Sequence, residues 1–222
     1  MFWEIWFKMD EDISAINTST RNERIKNFFI NNKKRIIIIL SILILLIISY
    51  FAFDAIKKKN ELKIANQYNN NKINFFSGKK SNVEKEMIEI VQAKDKTYSP
   101  LALYFLVDNK IVNSNEKINN LFDNVIDNKR LDKEIRNLII YKKALYNADF
   151  ETENKLLKIL NPIINSNSIW KSHALYLLGE YFLSKNEKQK SKEFFEKILI
   201  LKNSNTKIKL KAQRRIQRDF SE

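Results

Sequence analysis

The stretch IIIILSILILLIISYFAF, residues 36–53, carries no charged side chain. A helix of this length reaches roughly 27 Å, close to the hydrocarbon core of a bilayer. A helix on the surface of a soluble protein needs a polar face, and this run has none. Its serines, Ser41 and Ser49, suit a helix in lipid, because a hydroxyl bonds back to a carbonyl one turn earlier. Tyr50, Phe51 and Phe53 sit at one end, where an aromatic belt meets the headgroups. The sequence predicts one transmembrane helix over residues 36–53. No small-residue cleavage site follows it, and the chain runs straight into DAIKKKNELK. The segment therefore reads as a retained anchor rather than a signal peptide.

Basic residues flank the span unequally. Arg21, Arg24, Lys26, Lys33, Lys34 and Arg35 precede it; Lys57, Lys58, Lys59 and Lys63 follow, offset by Asp54 and Glu61. The excess places residues 1–35 in the cytoplasm as an N-terminal tail and the C-terminal part outside. The first residues, MFWEIWFK, read either as a short interfacial helix or as sequence ahead of a start at Met9.

Composition narrows the rest. There is no cysteine, so disulfides and thiolate metal sites are excluded. Two glycines and two prolines supply too few turns for an all-β fold. The two glycines stand apart, so no Gly-rich phosphate loop is present, and the single histidine, His173, leaves no His-based metal cluster or catalytic triad. No cofactor, metal or catalytic group is expected, and the chain does not read as an enzyme. The net charge of +14 fits a lysine-rich solvated surface, anionic lipid or nucleic acid. The basic segment TKIKLKAQRRIQRDF near the C-terminus has Phe220 alone among aromatics, and nucleic-acid binding would ask for interleaved rings. Nucleic acid is not expected as a partner.

Residues 54–222 read as a run of short helices. Residues 54–80 form a helical neck with Ile56, Ile64, Tyr68 and Phe75 on one face, closed by Gly78. Residues 81–222 form the main domain. Ser81 and Glu84 have capping-box spacing, as do Asn113 and Glu116. Ser99 is a natural N-cap before Pro100, and Pro162 is a natural helix stop. Apolar stripes recur at helical spacing, for instance Val83, Met87, Ile90 and Val91, or Ile118, Leu121, Phe122 and Val125.

The clearest repeat signal lies in LYLLGEYFLSKNEKQKSKEFFEKIL, residues 175–199. Leu175, Leu178, Gly179 and Phe182 follow the W-x2-L-G-x2-Y pattern of the tetratricopeptide repeat, with Leu for Trp and Phe for Tyr. Ser191 and Phe195 follow its A-x3-F element, with Ser for Ala, and Ile198 extends that face. Asn186 and Gln189 have the spacing to cap the second helix. A glycine inside a helix costs roughly 1 kcal/mol against alanine, so Gly179 implies a close approach of two helices, with the small Ser191 opposite. The earlier pairs are poorer copies; Tyr141 stands where a small residue is expected. The expected fold is all-α: one N-terminal transmembrane helix, then an α-solenoid of degenerate tetratricopeptide-like hairpins. His173, Tyr176, Glu180 and Leu183 share one face of a first helix, the face that lines the peptide-binding groove in such a hairpin.

An anchor, a neck and about three degenerate hairpins resemble the ancillary subunit family of the bacterial Sec translocon. DKTYSPLALYFL, residues 95–106, resembles that family's entry into an Ala/Leu-rich helix, and residues 175–199 resemble its last hairpin. The chain departs from the family in MFWEIWFK and in its strongly basic balance. The resemblance implies a single-pass protein of the bacterial inner membrane with a periplasmic C-terminal domain. It implies protein partners: translocon subunits, periplasmic chaperones or client chains. The alternative function is a structural envelope scaffold for division or cell-wall machinery.

Overall fold

The computed structural model describes residues 21–220; Trp3, Trp6 and Met9 lie outside them. The chain divides into two compact units, residues 1–60 and 61–222. Helical backbone begins at residue 21 and, past one turn residue at Asn32, enters α1, Lys33–Phe76. The apolar run of α1 buries nothing: Ile38, Leu45 and Leu46 are 58%, 62% and 63% exposed. Among the described residues α1 is the one helix long and apolar enough to cross a membrane. Ser41 Oγ donates to the Ile37 carbonyl at 2.8 Å, which satisfies the hydroxyl inside the helix.

The second unit starts within α1 and continues through eight shorter helices. These are α2 (Val83–Gln92), α3 (Tyr98–Asp108), α4 (Asn115–Ile126), α5 (Lys133–Asn147), α6 (Glu153–Ile164), α7 (Lys171–Ser184), α8 (Lys188–Ile200) and α9 (Thr206–Asp219). The fold is all-helical among the described residues. Each helix owes its place to a narrow apolar stripe. Val83, Met87 and Val91 of α2, Leu103 and Leu106 of α3, and Ile118 and Phe122 of α4 fuse into one cluster. Ile64, Tyr68 and Phe75 of α1 pack against it. A second cluster joins α5, α6 and α7 through Ile140, Leu156, Leu160, Leu178 and Phe182. Leu175, Phe195, Ile198 and Ala212 form a third, across α7, α8 and α9.

Several local expectations shift. Ile56 is 61% exposed and takes no part in the packed face of α1, whereas Asn71 is buried there. The helix does stop at Gly78, whose φ is +83°. Lys79 N–H bonds Asn74 O at 2.8 Å and Gly78 N–H bonds Phe75 O at 3.2 Å, the paired closure that a left-handed glycine permits. Ser81 does not cap α2; Asn82 occupies that position without a side-chain bond, and Glu84 instead pairs with Lys117 at 2.7 Å. Ser99 lies inside α3, donating to Ile90 O at 2.8 Å. Asp95 receives Thr97 and Tyr98 N–H in its place. Ser114, not Asn113, caps α4. Pro162 falls in the last turn of α6, which ends at Ile164. Asn186 does not open α8. It closes α7 with φ +62°, its N–H on Leu183 O at 3.0 Å and that of Glu187 on Phe182 O at 2.9 Å.

Helices α3, α5, α7 and α9 start at residues 98, 133, 171 and 206. Four polar bonds between these elements span a similar interval, beside others at 28, 30, 31 and 37 residues. Asn128 donates to Lys94 O and Ser168 to Glu134, each across 34 positions; Ser172 Oγ accepts from Asn205 N–H across 33, and Arg215 meets Glu180 across 35. Within the stack, Asn119 and Asn147 exchange two amide bonds at 3.0 and 2.8 Å. Asn147 is fully buried and also donates to Lys143 O at 2.7 Å. Replacing Asn119 by Ala leaves the Asn147 amide oxygen without its partner in a fully buried, low-dielectric site. We expect N119A to lower unfolding stability by roughly 2 kcal/mol, and N147A by less, because water reaches the Asn119 amide that it leaves behind. Urea unfolding followed by circular dichroism in detergent checks both.

Candidate functional site

The helix pair α7–α8 brings together all seven residues of the repeat signature. Leu175, Leu178, Gly179, Phe182, Ser191, Phe195 and Ile198 are buried. Ser191 Oγ donates to the Gly179 carbonyl at 2.8 Å. A Cβ built on Gly179 would lie 2.5 Å from Phe195 Cε1 and 2.8 Å from Cζ. Phe195 has no exposed surface and rests against Tyr176 and Phe220, with ring centroids 5.4 and 6.2 Å away. The ring therefore has no vacant space to swing into.

The row His173, Tyr176, Glu180 and Leu183 is half-buried rather than open. Helix α9 lies against part of it. Arg215 holds Glu180 in a two-point grip, Nε–Oε1 at 2.6 Å and Nη2–Oε2 at 2.5 Å. Its Nη1 also reaches Asp219 at 3.1 Å. Burial raises the Tyr176 hydroxyl above its usual range, with Glu180 adding and Arg215 opposing. His173 sits between Tyr141 and Trp170, 5.9 and 5.1 Å from their ring centroids. Tyr141 stacks on Trp170 at 6.0 Å, filling the space that a small residue leaves open in a regular repeat.

Two of the surface clefts lie beside the helices named so far. One, about 580 Å³, opens beside α9 and is lined by Tyr176, Lys211, Arg214, Arg215, Gln217 and Arg218. Arg215 and Arg218 are already paired with carboxylates. The other, about 470 Å³, separates α3 from α5. Pro100, Leu101 and Tyr104 form one wall, Leu131, Ile135 and Leu138 the other, and Lys96, Arg130 and Asp132 stand at its rim. Leu101 and Ile135 are 39% and 43% exposed. Burial and Asp108 push the Tyr104 hydroxyl up to about 12. Sequence reasoning missed this cleft. Its signal was present as Leu101 and Ile135, two apolar residues outside the buried stripes of their helices.

Among the described residues no three His, Asp or Glu side chains converge as a metal site requires. No family model, curated protein or solved structure matches the chain.

Two outcomes follow from the α7 face. Gly179→Ala gains about 1 kcal/mol of helix propensity but forces Phe195 aside, at roughly 1–3 kcal/mol. We expect G179A to be net destabilising, G179L more so, and F195L to restore stability in the G179A background. A double-mutant cycle by thermal unfolding measures that coupling. His173 titrates below its ordinary 6.5, chiefly through burial, opposed by the Ile169 carbonyl and aided by Lys211. The unfolded chain then binds the proton more readily than the folded one, so stability is complete above pH 6.5 and falls as pH drops through the folded value. His173→Gln is expected to flatten the stability profile just below pH 6.5, where no other side-chain type ordinarily titrates.

Proposed function

We propose that this chain is a membrane-anchored protein-interaction adaptor. In this reading residues 36–53 tether it and the paired helices form a degenerate tetratricopeptide-like repeat domain. The observation that carries it is the spacing of the starts of α3, α5, α7 and α9, at residues 98, 133, 171 and 206, with four inter-helix bonds at 33 to 35 residues beside others at 28 to 37. Stacked helix pairs of a 34-residue repeat produce a spacing of that order. Such stacks bury their apolar stripes against neighbours and leave first-helix faces for partners. The buried Gly179–Phe195 contact supports the same reading, because the repeat places a glycine and an aromatic residue at those positions.

The partner assignment rests on the resemblance of residues 95–106 and 175–199. It places the adaptor at a bacterial inner membrane beside the Sec translocon, with its C-terminal domain in the periplasm. Periplasmic chaperones or client chains are the remaining partners. The larger basic cluster on the N-terminal side of the span supports that orientation.

Topology and partner are separately testable. An alkaline phosphatase fused after residue 222 is expected to be active, and an inactive fusion beside a fluorescent green-protein fusion would overturn the periplasmic placement. A photocrosslinking side chain at Leu101, in native membranes, is expected to capture translocon subunits or emerging chains. Capture of division or cell-wall proteins without translocon subunits would replace this partner with an envelope machine.

A further inference from the structure

We propose that Lys33, Lys34 and Arg35 form a cationic collar that gathers anionic phospholipids around the span, in the leaflet on its N-terminal side. This rests on the anchor reading of residues 36–53 and names the lipid that surrounds the anchor.

The collar stands at headgroup depth. Its three residues directly precede the uncharged run that starts at Ile36. At about 1.5 Å per residue, their backbones lie within ~5 Å of the hydrocarbon edge. The headgroup layer on each side of a bilayer is roughly 5–7 Å thick, so the charged ends reach the level of the lipid phosphates. Helical bonding continues through this level: Asn32 N–H bonds Phe28 O at 3.0 Å, and Ile36 N–H bonds Asn32 O at 2.9 Å. Successive helical residues point about 100° apart. Lys33, Lys34 and Arg35 therefore face three directions around the axis, and all three are exposed. A folded partner touches one side of a helix, whereas lipid touches every side. The ring of charge fits lipid.

Charge decides which lipid. None of the three forms an ion pair with another described residue. Along the described helix the nearest carboxylates are Glu23, about 15 Å before Lys33, and Asp54, about 28 Å beyond Arg35. Both distances exceed the Debye length of ~8 Å at physiological salt. Arg21, Arg24 and Lys26 add cations further out, and in sequence they separate the collar from Glu4, Asp10, Glu11 and Asp12. A zwitterionic headgroup carries its own ammonium, which competes with the collar for the phosphate. An anionic headgroup leaves its charge to the protein, and each Lys or Arg near such a surface adds attraction. Arg35 also has the planar fork that grips a phosphate through two parallel N–H bonds. The other end of the span is built differently. Asp54 stands at headgroup depth there and pairs with Lys58 at 2.8 Å, and Glu61 follows among the lysines. The selection therefore belongs to the leaflet on the N-terminal side.

The chain has no cysteine, so Asn31→Cys takes a fluorophore at one exposed site beside the collar. The labelled full-length chain is reconstituted in phosphatidylcholine vesicles holding a small fraction of one quencher lipid. The quencher is phosphatidylglycerol or phosphatidylcholine with a nitroxide on its acyl chain, so contact quenching reports which lipid gathers at the helix. The anionic quencher is expected to be enriched about ten-fold over the zwitterionic one, and the enrichment to shrink as salt is raised. Lys33→Gln, Lys34→Gln and Arg35→Gln should each remove a similar share of it, and the triple variant most of it. Lys57→Gln with Lys59→Gln, at the far leaflet, should leave it unchanged. Equal quenching by the two lipids, an enrichment undiminished in the triple variant, or one carried by a single member of the collar overturns the proposal while the anchor reading stands. If neither lipid quenches, the span is not in the bilayer and both fall.

Discussion

Helices of 10 to 15 residues, the range spanned by α2 through α9, are marginal in water on their own. Apart from α3 and α7, which are apolar around most of their girth, each carries one apolar stripe too narrow to make a core alone. Everything else in residues 61–222 follows from the need to pair those stripes. The three clusters share helices at their borders: α7 gives Leu178 and Phe182 to one and Leu175 to the next. A helix that serves two cores needs apolar residues around most of its girth, and α7 buries eight of its residues. Helix α9 serves one and buries Ala212 alone. Lysine and arginine predominate on its exposed surface, beside Thr206, Leu210, Gln213 and Gln217.

Apolar burial is non-directional and leaves the register of stacked helices loosely set. Polar bonds sharpen it. The Asn119–Asn147 exchange, the Ser168–Glu134 bond and the Arg215–Glu180 grip each require one alignment of neighbouring pairs. A slip of one turn would bury these groups without partners, at a cost above that of the apolar contacts regained.

The helices and their buried stripes were legible in the sequence because burial imposes a period that survives poor local signals. Val83, Met87, Ile90 and Val91 illustrate it. The caps were less legible. Several residues near each helix start have the chemistry to cap, and tertiary structure decides among them. Ser99 was the better local candidate before Pro100, yet its hydroxyl is used on Ile90 O in the neighbouring helix; Thr97 takes the cap position without a side-chain bond, and Asp95 Oδ1 accepts the Thr97 and Tyr98 N–H. Asn186 has two roles available to asparagine, N-cap and left-handed terminator. The tight return from α7 to α8 selects the second. Buried asparagines such as Asn71 and Asn147 left no apolar trace at all.

The exposure of the row His173, Tyr176, Glu180 and Leu183 was the least legible part, because helices distant in sequence decide it. Whether a first-helix face is open depends on the helix that comes next, some 35 residues on. In α7 that successor is α9, and Arg215 engages Glu180 while Phe220 reaches the ring of Phe195 behind Tyr176. In α3 the successor is α5, whose Ile135 and Leu138 stand back and leave a gap. The α7 face is thus closed by its neighbour, and the α3 face is left open by its own. A row chosen from one helix's own periodicity cannot separate these cases. The separating residues, Arg215 and Ile135, lie on the partner helix, and only the register of the stack connects them to the face they close or leave open.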